Sequence, residues 1–120
     1  MKIIYVAGPY TAKTFEAIDF NIQKAKQAAV QLWRAGWAVI CPHLNTAHFE
    51  IYEDENLKYQ TWIDGDIELL KRCDAIYMLS TWYQSKGAKG ELEFAKQNGI
   101  KEFYEVDGVP KPEGICDGEK

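Results

Sequence analysis

The sequence is short of what several functional classes require. Its 14 Lys and Arg are outnumbered by 18 Asp and Glu, giving a formal net charge of −4. An acidic chain serves neither a nucleic-acid polymer nor an anionic membrane. A small phosphorylated ligand is still admitted, because one local loop can bind it. Cysteine is sparse: Cys41, Cys73 and Cys116 are too few and scattered for a disulfide framework, and none has CxxC or zinc spacing. Each reads as a small apolar filler, and a reducing, cytoplasmic compartment fits. His43 and His48 are the only histidines, and with no third ligand nearby they argue against a metal site. Long apolar runs are missing too. The opening MKIIYVAGPY is cut by Gly8-Pro9, and reads as neither a signal peptide nor a membrane span. Walker A and GxGxxG patterns are absent, so neither ATP hydrolysis nor the usual dinucleotide binding is indicated.

What the chain does have is a regular alternation of apolar runs and amphipathic helices. With 120 residues, 47% hydrophobic and 27% charged, it is sized for one domain with a genuine core. Residues 2–7 (KIIYVA), 37–41 (WAVIC) and 74–79 (DAIYML) are apolar, β-branched or aromatic runs, the mark of strands covered on both faces, and 101–106 (KEFYEV) is read as a fourth strand. A helix is expected over 15–35, with Ile18, Ile22, Ala25, Ala29, Leu32 and Trp33 as its apolar stripe and Gly36 as its stop. Asn21 lies at the edge of that stripe, placed either to bond a neighbouring loop or to face a ligand. A second helix is expected over 57–72 and a third from about Ala88 to Gly99. Between strand two and its helix, residues 43–56 (HLNTAHFEIYEDEN) form a long polar segment of the kind that is usually functional or mobile. Domain limits of 1–106 follow, with 107–120, rich in glycine and proline, as a loose tail.

The order β-α-β-α-β-α-β with continuous apolar strands specifies a doubly wound parallel sheet. Right-handed crossovers make its strand order 2-1-3-4. Strands 1 and 3 then flank the topological switch point, where ligands bind beyond the carboxyl ends of the strands. Those ends are the Gly8-Pro9-Tyr10 loop and residues 80–87.

Two acids on the helices at this point break the amphipathic pattern. Glu91 falls on the inner face of its helix, between Phe94 and Ala95. Asp66 falls between Trp62, Leu69 and Leu70. A carboxylate on an inner face is costly unless it has a task. Each alone also fits a bland role, a helix-dipole partner for Glu91 or a loop tie for Asp66, but two at one switch point favour a catalytic pair. Paired carboxyls suit glycosyl chemistry, one attacking an anomeric carbon while the other manages the leaving group's proton. Ser85 and Gly87 at the helix start form either an anion cradle or an ordinary turn and cap. His43 and His48, in a polar loop, are read as solvated or structural before catalytic.

Taken together, YVAGPY (5–10), Gly65-Asp66, CDAIYML (73–79) and SKGAKGELEFA (85–95) resemble the nucleoside 2-deoxyribosyltransferase-like superfamily, over nearly the whole chain to about Val106. The most specific element is S-x-G-x-x-x-E-x-x-x-A, with its acid at Glu91. The resemblance implies a Rossmann-like (flavodoxin-like) sheet and cleavage of the N-glycosidic bond of a nucleoside or nucleotide. It casts Glu91 as the nucleophile at C1′, Asp66 as the acid assisting departure of the base, and Tyr5 as the group orienting the nucleophile. Gly8 would keep the first loop close to the sugar. No metal or organic cofactor is implied, and homo-oligomers are typical.

Within that superfamily, transferases tend to carry an acid at the position of Ser85, whereas nucleoside 5′-phosphate N-hydrolases carry serine and glycine facing a phosphate. Ser85 and Gly87 therefore point to a 2′-deoxynucleoside 5′-monophosphate N-hydrolase. A 2-deoxyribosyltransferase and a non-catalytic nucleotide-binding module are the alternatives. The expected substrate contacts are Gly8, Pro9, Tyr10, Asn21, His43, Trp82, Ser85 and Gly87. Trp82, with Tyr83, enlarges the loop before Ser85, either to stack on a base or simply to pack.

Overall fold

The computed structural model describes residues 1–115; Cys116, read above as a core filler, lies outside them. Its strands are β1 (Ile3–Ala7), β2 (Ala38–Ile40), β3 (Ala75–Met78) and β4 (Lys101–Tyr104). They form one parallel sheet ordered β2-β1-β3-β4, the single-domain Rossmann-like arrangement expected. The helices are α1 (Phe15–Arg34), α2 (Pro42–Asn45), α3 (Tyr59–Leu70) and α4 (Lys86–Gln97).

Strand alternation sorts the core into two layers. Ile4, Val6, Ala75 and Tyr77 pack with Ala25, Ala29 and Leu32 of α1. Tyr5, Ala7, Ile76 and Met78 point the other way, onto Leu70 of α3 and Ala88, Leu92 and Ala95 of α4. Helix starts follow local chemistry. Thr14 caps α1 by accepting from Ala17 N–H at 3.1 Å, and Ser85 caps α4 by accepting from Ala88 N–H at 3.0 Å. The Ser85 cap opens α4 two residues before the position that periodicity indicated.

Two expectations need correction. Trp33 is 54% exposed, because it follows Leu32 by 100° and falls past the edge of the buried stripe. The stretch after Asp107 is docked rather than loose as far as Ile115, which is buried with α1 and Trp37. The fully buried indole of Trp37 donates to the Pro110 carbonyl at 2.9 Å. A buried indole N–H needs an acceptor, and this segment supplies it. The polar 43–56 segment holds α2, a 3₁₀ turn at Phe49–Tyr52 and a bridge between Asp54 and Leu57.

β1 and β3 come close at their carboxyl ends, and Gly8 makes the approach possible. A Cβ there would stand 2.6 Å from Leu79 Cδ1 and 2.9 Å from its Cβ, and Leu79 is buried. Gly8→Ala should therefore destabilise the fold by about 1–3 kcal/mol through overpacking. Urea unfolding checks this: the midpoint should fall with an unchanged m-value.

Candidate active site

A cavity of about 550 Å³ opens beyond the carboxyl ends of the strands. After β1 come Gly8, Pro9 and Tyr10; after β2, Pro42 and His43; after β3, the start of α4 from Gln84 to Ala88. Asp66 of α3 and Glu91 of α4 also line it. The switch point, the glycine-bearing loops and both inward acids therefore meet in one place.

Behind the cavity lining, the Tyr5 hydroxyl donates to Glu91 Oε2. Tyr5 is fully buried in the central strand, and this bond satisfies its only polar atom. Burial pushes the Glu91 carboxyl up from its ordinary 4.5 to about 8; the Tyr5 bond opposes the shift and the nearby Asp66 charge adds to it. Burial likewise raises Asp66 from 3.8 to about 6. The Tyr5 phenol is held well above its usual value, chiefly by burial and then by the Glu91 charge. Two carboxyls that share one cavity and resist ionising together are equipped to hold one proton between them.

The wall formed by α4 offers donors. Ala88 N–H is taken by Ser85 Oγ and Lys89 N–H by the Ser85 carbonyl, leaving the Lys86 and Gly87 amides as the helix's unpaired N-terminal donors. Ser85 Oγ accepts in its cap, so its own proton stays free to donate. The cap does not exclude the cradle; one hydroxyl can serve both. A Cβ on Gly87 would meet only Ser85 Oγ, at 3.8 Å. Packing thus does not demand glycine there, and its bareness keeps the cavity wall open.

Other expected contacts play supporting parts. His43 is buried, donates through Nε2 to the Pro9 carbonyl at 2.9 Å, and burial lowers its pKa. It is a neutral wall residue of the cavity. Asn21 lies off the lining and donates to the Tyr10 carbonyl at 3.0 Å, so it holds the first loop rather than a ligand. The Tyr10 hydroxyl is a junction, 2.9 and 3.1 Å from the two Glu50 carboxylate oxygens and accepting from His48 N–H at 2.7 Å. His48 stacks on Phe15 at 4.1 Å, which is the structural role anticipated for it.

Trp82 does not reach the cavity. It packs on the core layer of Tyr5 and Ile76 and against Tyr104, ring centres 6.1 Å apart. The tryptophan that does line the cavity is Trp62 of α3, and Tyr59 lines it as Tyr10 does. Helical spacing carried a signal for it, since Trp62 stands one turn from Asp66. Glu50, Glu53 and Lys86 also line the cavity. Glu50 lies in the short Phe49–Tyr52 3₁₀ turn and Glu53 just after it, too brief a stretch for periodicity to have marked them.

Fold and cavity define a Rossmann-like α/β protein with a carboxyl pair at its switch point. The chain belongs to the family described as "Domain of unknown function (DUF4406)", whose model matches residues 2–104. Among solved structures it is similar to a 2-deoxyribosyltransferase from the psychrotolerant bacterium Bacillus psychrosaccharolyticus, with a TM-score of 0.58 and 21% identity, over 85% of this chain and 70% of that one. At that identity the likeness speaks for the fold, which is the one the sequence resemblance implied. No curated protein matches the chain. Among the described residues, no helix is long and apolar enough to cross a membrane.

Proposed function

We propose that the protein cleaves the N-glycosidic bond of a 2′-deoxynucleoside 5′-monophosphate. The observation that carries this reading is the meeting of Asp66 and Glu91, the latter held by the buried Tyr5 hydroxyl, in one cavity whose wall is a donor-rich helix start. A Glu91 oxygen attacks C1′ as the bond from C1′ to the base nitrogen breaks. Asp66, protonated, delivers its proton to the departing base. The resulting glycosyl ester at Glu91 is then attacked by water, which loses its proton to Asp66 and restores both carboxyls. Tyr5 holds the nucleophile in place by its hydrogen bond. The Lys86 and Gly87 amides, the Ser85 hydroxyl and the Lys86 ammonium receive the 5′-phosphate. No cofactor takes part.

A second reading, exchange of bases on deoxyribose, draws support from the transferase among the similar structures. Both share the first step and differ in whether water or a base takes the sugar. A cytoplasmic location accords with such a substrate. Assembly of several copies is part of the proposal, and Ile51 and Tyr52, 72% and 67% exposed, are apolar surface that assembly would cover.

Chromatography of each deoxynucleoside 5′-monophosphate after incubation with the protein tests the reading. Free base and deoxyribose 5-phosphate are expected, at a much lower rate for the matching nucleosides without phosphate. Equal rates with and without phosphate would remove the phosphate assignment. A new nucleoside formed on adding a second base would identify a transferase.

A further inference from the structure

The cavity is lined asymmetrically, with hydrogen-bond donors on one arm and acceptors on the other. Helices in such a sheet run back against the strands, so α3 and α4 both begin at the mouth, above Asp66 and Glu91. The α4 arm presents donors: two amides, the Ser85 hydroxyl and Lys86. The α3 arm rises from Asp66 to Trp62 one turn above and Tyr59 beyond it, with Glu53 and Glu50 beside them.

Each acceptor on this second arm is fixed by the protein. Trp62 Nε1–H donates to Glu53 Oε2 at 2.7 Å, which leaves Oε1 open. Glu50 is held by Tyr10. His43 is 95% buried in the cavity wall, as its 5% exposure shows. Its Nε2 proton goes to Pro9, so Nδ1 is an acceptor, and it has no partner among the described residues. An ionised carboxylate accepts only, so Glu50, Glu53 and His43 Nδ1 each ask for an N–H or O–H donor. No cationic side chain lines this arm.

Resting on the nucleotide-cleaving reading, we propose that this arm is the base subsite, that it selects nucleobases bearing an exocyclic amino group, and that Glu53 is the specificity-determining residue. Asp66 stands on the same helix, so the base that takes its proton leaves along α3, past Trp62. The Trp62 indole offers a flat face for the ring, and Glu53 meets its outer edge. Adenine and cytosine bring an amino N–H donor to that edge. Uracil and hypoxanthine put a carbonyl oxygen at the position of the amino group, where it would oppose a carboxylate with no proton between them.

Two matched pairs isolate that one group: the deoxynucleoside 5′-monophosphates of cytosine against uracil, and of adenine against hypoxanthine. In the wild-type protein kcat/KM should favour the amino member of whichever pair is cleaved faster by at least about tenfold. Glu53→Gln, whose amide both donates and accepts, should bring that ratio close to one by slowing the amino substrate and sparing its carbonyl counterpart. A wild-type ratio near one, or a ratio that Glu53→Gln leaves unmoved, overturns the proposal. If no nucleotide is cleaved, the catalytic reading has failed, and calorimetry with the same four nucleotides decides this one. Tighter binding of the amino members, lost in Glu53→Gln, sustains the subsite. Equal binding, or none, overturns it.

Discussion

Glu91→Gln should reduce base release by on the order of 10⁴-fold or more, as expected when a nucleophile is removed, while making the protein more stable at alkaline pH. The two effects have one cause. The folded protein holds the Glu91 carboxyl at about 8 against an ordinary 4.5, so between those values the native state keeps a proton that the unfolded chain releases. Stability attributable to Glu91 is then complete below about pH 4.5 and is lost as pH rises through 8. At roughly 1.4 kcal/mol per pKa unit, and allowing for relaxation of a partly accessible site, the loss is about 2–4 kcal/mol. Glutamine removes the titration and still offers Tyr5 an oxygen to donate to. Urea unfolding at pH 5 and pH 8 reads the outcome: wild type should weaken between them and Glu91→Gln should weaken much less. Such a gain from disabling a site is the usual sign that activity there opposes stability. A variant that is inactive and equally pH-sensitive would show that the strained carboxyl is elsewhere.

The sheet was legible because it is built by rules that act locally. The three runs of β1, β2 and β3 are apolar, α1 and α4 carry caps, and right-handed crossovers leave one strand order. Glu91 and Asp66 were legible for a related reason. Helical spacing places them among apolar neighbours, and topology then brings their helices to the same crevice. What escaped depended on contacts between distant residues. Nothing near Trp37 announces that its N–H will be met by Pro110, 73 positions away. Trp82 and Trp62 are alike as residues; one packs on Tyr104 and the other lines the cavity, a difference set by how loops fold over the sheet. Glu50 and Glu53 are the sharpest case. In an acidic surface loop they look like solvating charges, and only their bonds with Tyr10 and Trp62 hold them at the edge of the cavity.

Asp66→Asn should lower kcat/KM by about 10²–10⁴-fold, the range for loss of a general acid or base, and should also change the shape of its pH profile. In the wild type the carboxyl pair titrates near 6 and near 8, and the reaction needs one proton in the pair, on Asp66, with Glu91 ionised. The singly protonated pair is most abundant between those values, so kcat/KM should trace a bell with limbs near pH 6 and pH 8 that belong to the pair rather than to either residue. In the free protein Glu91 is the weaker acid, so most singly protonated molecules carry the proton on the wrong carboxyl. The rate is then limited to a minor tautomer, and phosphate or sugar contacts that favour its partner raise it. Asparagine cannot titrate. Its variant should keep only the acid limb, as Glu91 ionises, and that limb should move below 8 because the Asp66 charge that raised it is gone. Bases that depart without a proton should be slowed least. A bell that survives the substitution would mean that the second ionising group is not Asp66, and that the proton for the leaving base comes from another part of the cavity.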